Sequence, residues 1–518
     1  MMGAKLRAFT PLTDVSLESL VPADHFYRHL DRTLDLAFVR DLVADCYASG
    51  GRPSVDPVVF FKLQLVMFFE GIRSERQLMT VVTDRLSLRW YLGYDLDERL
   101  PDHSSLTKIH ERYGLHVFRR FFETITARCV AAGLVWGEEL YVDATKVEAN
   151  AARSSLIPRF AVEPHLRDLF KSEESVEPVT IPANDAKPDW PTTDAEAQPI
   201  ALPTPVFEEQ RAVLAGTNAQ RHDWLTAAGK QQREVQNHHV RKRRADYVVS
   251  TTDPDATFMH RPGSSTRLGY QTHYVVDGGK ARIIVQALVA PAEVMEGQPM
   301  RDLVWHTCFH WHLRPRQVTA DTAYAGIENI IALEDAGIHA YIPLPAPDKR
   351  RIGFSQQDFR YDPVADTYIC PQGTVLKRRQ RKQKDRSIHY QAPAAVCNQC
   401  PCKARCTPSK VGRTVQRSLD EEYLDRVRGY HTTAAYKKAM RKRGVWVEPL
   451  FAEAKGWHGL RRFRLRGLVK VNSEALLTAS GQNLKRLVSK GGWGRRPYPG
   501  GALGLATNPV FIGSAGQA

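Results

Sequence analysis

The chain has 518 residues, 43% of them apolar, and a formal net charge of +15 at neutral pH. That length exceeds one ordinary hydrophobic core, so two or three domains are expected, and the charge favours a polyanionic partner. No apolar run approaches the roughly 20 residues of a membrane-spanning helix, and the first residues lead into no signal-peptide core. The expectation is a cytoplasmic protein with no membrane partner and with reduced cysteines.

In chain order, residues 16–132 read as helices, with apolar residues at helical spacing over 38–46, 58–69, 75–83 and 115–132. Ser104 or Ser105 is placed to cap a helix carrying Lys108, His110, Glu111 and Arg112. A helical domain over 1–132 with basic turns suits DNA binding in a helix-turn-helix arrangement, or else packing and dimerisation. Glu139-Leu140-Tyr141-Val142-Asp143 then reads as a short apolar strand ending in an aspartate. Residues 162–205 are rich in Pro, Glu, Asp, Ser and Thr and read as a linker or disordered insertion. A polar helix ending in Arg241-Lys242-Arg243-Arg244 is expected after it.

Asp253-Pro254-Asp255 looks like a turn. Residues 269–276 and 281–290 read as a hairpin with Asp277-Gly278-Gly279 as its turn. A helix over 297–312 follows, and the histidines within it point to several faces, as in a core helix rather than a metal site. A second strand ending in Asp321, a helix over 326–336 and a strand over 340–343 complete the pattern. Strands alternating with helices in this way predict a mixed sheet with helices packed on it.

The segment 355–415 holds five of the eight cysteines. Cys397 and Cys400 have the Cys-x-x-Cys spacing of a zinc ligand pair, and Cys370 and Cys406 complete a tetrahedral thiolate set, with Cys402 to spare. The alternative is a group of reduced structural thiols. The basic run over 377–386 reads as a solvated face. Those over 437–443 and 461–470 flank Glu448 and suit phosphate contact.

Glu448 and Lys455 are seven positions apart, which on a helix places them on one face two turns apart. Pro449 disfavours helix at the residue before it and suits the first helical position, so Glu448 is expected at or just before a helix start. An aspartate at the end of a buried strand is costly unless paired, hydrogen-bonded or metal-bound. Carboxylates brought together repel, and a divalent cation relieves that. No Gly-x-x-x-x-Gly-Lys-Ser/Thr loop is present to indicate an ATP-driven step. The tail from Gly491 is rich in Gly and Pro and is expected to fray.

Taken together, Val-Asp-Ala-Thr-Lys (142–146), Ala-Asp-Thr-Ala-Tyr (320–324), Val-Glu-Pro-Leu-Phe (447–451), Gly-Leu-Arg-Arg-Phe (459–463) and Leu-Arg-Gly-Leu (465–468) resemble the DDE transposases of bacterial insertion sequences. Arg52-Pro53-Ser54-Val55-Asp56-Pro57 and Leu100-Pro101-Asp102-His103-Ser104-Ser105-Leu106 resemble their helical N-terminal domain. The resemblance covers most of 1–150 and 245–490. One departure is local: the family often has a Tyr seven and an Arg four residues before the glutamate, where this chain has Arg441 and Gly444, with Arg443 one residue off. The competing Glu453 has Leu460 where the lysine belongs.

The resemblance implies an α/β RNase H-like catalytic domain, a mixed sheet flanked by helices, over 136–350 and 430–490. An all-α N-terminal domain (1–132), a small Cys-rich, zinc-ribbon-like insertion (355–415) and a flexible tail (491–518) complete the expected organisation. It implies Asp143, Asp321 and Glu448 as catalytic carboxylates binding two magnesium ions, or manganese. Lys455, Arg461, Arg462, Arg464 and Arg466 become the DNA-contacting residues. The partners implied are double-stranded DNA, as terminal inverted repeats and target, and a second copy of the chain as a homodimer on DNA. The rival readings are an inactivated DNA-binding relative and a plain metal-dependent nuclease on the same fold.

Overall fold

The computed structural model describes residues 16–47, 54–158, 248–259, 266–345, 353–382 and 387–490. The linker expected over 162–205, the polar helix ending in Arg241 to Arg244 and the tail from Gly491 lie outside the described residues. The chain divides into two units: Met1–Ala132, Trp457–Gly459 and Leu477–Ala518 form one, Gly133–Gly456 and Leu460–Leu476 the other.

The first unit is helical. Its elements are α1 (Leu17–Leu20), α2 (Phe26–Thr33), α3 (Phe38–Leu42), α4 (Pro57–Glu70), α5 (Glu75–Asp84), α6 (Leu86–Leu92) and α7 (His103–Ala131). Helix α4 starts where the sequence signals it: the Asp56 side chain accepts from the Val58 N–H and Pro57 occupies the first turn. It is buried almost all round, with Phe61 stacked on Phe121 of α7 at 4.4 Å between ring centroids. Glu70 at its end is buried but satisfied, accepting from the Tyr27 hydroxyl (2.7 Å) and from Arg85 (2.6 Å).

Asp102, not Ser104 or Ser105, caps α7, its carboxylate accepting from the Ser104 N–H. The helix is broken at Gly114, whose φ of +64° is one that residues with a Cβ rarely adopt. The expected start of a helix at 115 therefore falls at a kink inside a longer element.

The second unit contains a six-stranded mixed sheet. Its strands are β1 (Glu139–Glu148), β4 (Thr257–Met259), β5 (Arg267–Asp277), β6 (Ile284–Pro291), β7 (Gln317–Thr319) and β8 (His339–Tyr341); the short pair β2 (Leu156–Pro158) and β3 (Val248–Ser250) lies apart. The order runs β4-β5-β1-β7-β8, with β6 also paired to β5. β5 is antiparallel to β1 and β6, whereas β1, β7 and β8 are parallel. Helices α8 (Met300–Trp311) and α9 (Ile327–Asp335) are the crossovers that parallel pairing requires. Gln286 engages His306 of α8 at 2.8 Å, and the helix buries Met300, Leu303, Val304 and Thr307, as a core helix does.

One expectation changes here. β1 does not end at Asp143 but continues to Glu148, because 144–148 pair with 269–273 of β5 and Glu148 is also held by the backbone of Arg461 and Phe463. Asp253-Pro254-Asp255 forms the expected turn, but with both aspartates buried, accepting from the backbone N–H groups of Gly467 (3.1 Å) and Leu468 (2.6 Å). Those carboxylates stabilise the start of a late helix, Leu468–Lys490, through its unsatisfied donors.

The cysteine-bearing segment is more ordered than its polar sequence suggests. β9 (Arg360–Asp362), β10 (Thr367–Ile369), β11 (Val375–Lys382), β12 (Ser387–Gln391) and β13 (Thr414–Ser418) form an antiparallel sheet in the order β13-β12-β11-β10-β9. Helices α10 (Ala394–Asn398) and α11 (Lys403–Cys406) connect β12 to β13. Its small core is Phe359, Tyr368, Leu376, Tyr390, Ala392 and Val415, with Cys370, Cys397 and Cys406 packed against it. Downstream lie α12 (Glu421–Tyr430), α13 (Ala434–Trp446), α14 (Glu448–Trp457) and α15, the Leu468–Lys490 helix.

Candidate active site

Strand register brings the first two carboxylates together. In the parallel pair, Tyr141 of β1 lies opposite Thr319 of β7. Asp143 and Asp321 each stand two residues further on, and the two-residue period of a strand puts them on one face. Asp143 is 7% exposed and its carboxylate accepts from the Ala144 N–H at 2.9 Å. Asp321 closes an Asx-type turn, accepting from the Ala323 N–H at 2.9 Å.

The third carboxylate near them is one the sequence reading missed. Asp143, Glu296 and Asp321 each place an oxygen within 4.8 Å of the other two. Glu296 lies between β6 and α8, with no periodicity or motif to single it out. Its loop is fixed from behind: the Asn329 amide donates to the carbonyls of Gly297 (2.9 Å) and Tyr324 (3.1 Å). A Cβ on Gly297 would come within 2.7 Å of the Ala323 carbonyl, so only glycine allows this approach.

Glu448 is the first residue of α14 and is exposed. Its carboxylate leans back along α13, with Oε1 3.7 Å from where a Cβ on Gly444 would sit. It is near enough to act on Asp143 electrostatically, but lies outside the close group of three. Arg443, one position off the family pattern, nonetheless reaches the site and ion-pairs with Asp143 at 3.0 Å.

These charges leave a clear imprint. Burial pushes Asp143 up to about 6; Arg443 pulls it down, while Asp321 and Glu448 push it further up. Burial also pushes Glu296 up to about 7, reinforced by Asp321 and Asp143 and opposed by Lys146 and Arg443. Clustered carboxylates that resist ionisation together make a donor set of hard oxygens, the chemistry that magnesium or manganese takes.

Lys455, on α14 with Glu448, donates from Nζ to the Thr145 hydroxyl at 2.5 Å. The arginine segment that follows is pinned to the end of β1: Arg462 donates to the Asn150 side chain (3.2 Å) and Arg466 to its carbonyl (3.0 Å). The Glu474 carboxylate accepts from the backbone of Arg464 and Leu465. Arg461, Arg462 and Arg466 are exposed and Arg464 is half-buried.

The cysteines form a separate centre. Cys370, Cys397, Cys400, Cys402 and Cys406 line a void of about 20 Å³ with Phe354 and Phe359. Backbone N–H groups of Thr374 and Arg413 donate to the sulfurs of Cys370 (3.3 Å) and Cys397 (3.5 Å). Burial raises the Cys406 thiol; Arg413 opposes this, and Cys397, Cys370 and Cys400 add to it.

Two family models match the chain. One, described as Transposase domain (DUF772), matches residues 15–112, and the other, described as Transposase DDE domain, matches residues 369–488. No curated protein and no solved structure matches it. The second match includes Glu448, Lys455 and the arginine segment.

Proposed function

We infer, for a chain that belongs to the DDE transposases of insertion sequences, that Asp143, Asp321 and Glu448 are the carboxylates that cut and join DNA, with Glu296 beside them. The enzyme cleaves DNA and transfers strands, and it depends on a divalent metal. What carries the residue assignment is the parallel register of β1 and β7, which brings Asp143 beside Asp321 just past the end of β7. The sheet order, with β5 and β6 antiparallel on one side of β1 and parallel β7 and β8 on the other, supports an RNase H-like reading of this domain.

Magnesium, or manganese, fits the oxygen donors of Asp143, Asp321, Glu296 and Glu448, and when bound supplies a lowered water pKa and charge neutralisation at phosphorus. Arg443 holds Asp143 in place and limits its repulsion with Asp321. Lys455 positions a phosphate, and Arg461, Arg462, Arg464 and Arg466 extend that grip along the backbone. No Ser or Tyr nucleophile is assigned, because direct attack by water or a 3′-hydroxyl requires none. The DNA partners are the element's terminal inverted repeats and its target, held by a homodimer in the cytoplasm. Among the described residues, no helix is long and apolar enough to cross a membrane.

The Cys-rich sheet is read as a structural insertion. Cys370, Cys397, Cys400 and Cys406 are its zinc ligands, a reading supported by the one void they line and by N–H donors to two of the sulfurs.

The test is incubation of the purified protein with magnesium and DNA carrying the sequences that flank its gene. Joined products are expected; cleavage without joining would make it a nuclease, and a mobility shift without products a DNA-binding protein only. Affinity for the same DNA should fall steeply with salt, with a log–log slope of about −0.9 per phosphate contacted. A flat response in a filter-binding titration would count against a phosphate-gripping arginine segment.

A further inference from the structure

Beside the carboxylates lies a pocket that their chemistry does not account for. It has a volume of about 280 Å³ and is lined by Ala144, Thr145, Lys146, Gln271, Glu296 and Lys455. That is just below the roughly 300 Å³ at which small-molecule sites begin, a size for one nucleotide unit rather than a duplex. Glu296 belongs both to this pocket and to the carboxylate group, so whatever fills the pocket adjoins the reacting phosphate.

Its polar groups are of two kinds. Lys146 and Lys455 bring positive charge, and the Thr145 hydroxyl already accepts from Lys455. Gln271 lies directly across the β1–β5 pair from Lys146, so both stand on one level of the sheet. The glutamine is only 5% exposed, and its Oε1 has no hydrogen-bond partner. A buried amide oxygen left unpaired costs on the scale of a lost hydrogen bond. A phosphate cannot satisfy it, having only acceptors at neutral pH. A donor is required, and on an intact DNA duplex the donors at a base edge are amino groups.

We propose that this pocket is the subsite for one nucleotide of the DNA strand next to the scissile phosphate. Lys146 and Lys455 hold its phosphate, and Gln271 accepts a hydrogen bond from an N–H of its base. The inference rests on the transposase reading of the neighbouring carboxylates, and it makes Gln271 a determinant of sequence preference at the cut site.

The experiment is single-turnover cleavage of duplexes carrying the gene-flanking sequence, with every base pair tried at the two positions on each side of the cut. The wild-type enzyme should prefer, at one position, a base that bears an amino group. Replacing that base by its analogue lacking the amino group should slow cleavage roughly ten-fold or more. Gln271→Ala and the length-matched Gln271→Met should both collapse the ratio between best and worst base at that position, a change that general loss of fold would not produce. Lys146→Gln should instead weaken binding to all sequences alike and reduce the salt slope by about 0.9. A wild-type enzyme that cleaves with no base preference at these positions, or Gln271 variants that keep the wild-type ratio, would overturn the proposal. Absence of metal-dependent cleavage on every duplex would overturn the transposase reading instead.

Discussion

Asp143→Ala and Asp321→Ala should each reduce strand cleavage by roughly a thousand-fold or more while leaving affinity for the flanking DNA nearly unchanged. Metal-assisted charge stabilisation contributes several kcal/mol to such a transition state, and each 1.36 kcal/mol is ten-fold in rate. The contrast between rate and binding follows from placement. The carboxylates stand on the sheet, whereas Arg461, Arg462 and Arg466 are exposed on a segment held by Asn150 and Glu474. Glu448→Ala should be as inactive and Glu453→Ala mild. Glu296→Gln should raise the magnesium concentration needed for half-maximal rate by about ten-fold or more, the scale on which a ligand-supporting group acts. An active Glu448→Ala with an inactive Glu453→Ala would reverse the glutamate assignment, and cleavage by Asp143→Ala at the wild-type rate would remove the site altogether.

Substituting Ser for Cys370, Cys397, Cys400 or Cys406 should release one zinc per chain and unfold the 353–418 sheet at temperatures the wild type withstands. The apolar core of that sheet is small, six buried residues with three cysteines against them, so a metal worth on the order of 10 kcal/mol in apparent binding energy would dominate its stability. Cys402→Ser should keep the metal and the melting temperature, because four thiolates complete a tetrahedral zinc shell and Cys402 exceeds that count. Elemental analysis of desalted protein, read beside hydrogen exchange over 353–418, decides the matter. A zinc-free chain whose sheet is still protected would show the cysteines to be plain structural thiols.

Much of this architecture was legible because it depends on local signals. Asp56-Pro57 marked the start of α4, and Asp277-Gly278-Gly279 marked the turn between β5 and β6. What escaped depends on partners distant in sequence. Residues 144–148 look like the exit from a strand until 269–273 of β5 pair against them and the backbone of Arg461 and Phe463 holds Glu148. The five-stranded sheet escaped because the lysines and arginines of 377–382 obscure its alternation, and only Leu376 and the aromatic partners across it reveal a core. Asp143 and Asp321 stood out as carboxylates after apolar strands, but their meeting required the parallel register, which no single segment encodes. Glu296 carried no signal, since its approach depends on Gly297 and on an amide in α9.

The ion pair between Arg443 and Asp143 gives this enzyme an internal counter-ion. A buried carboxylate beside two others would ordinarily make the metal-free fold expensive, and the guanidinium offsets part of that cost before any cation arrives. A divalent ion held by Asp143 would compete with a charge anchored on the helix that runs into Glu448. An arginine so displaced would be left at the cleft as a cation for a DNA phosphate.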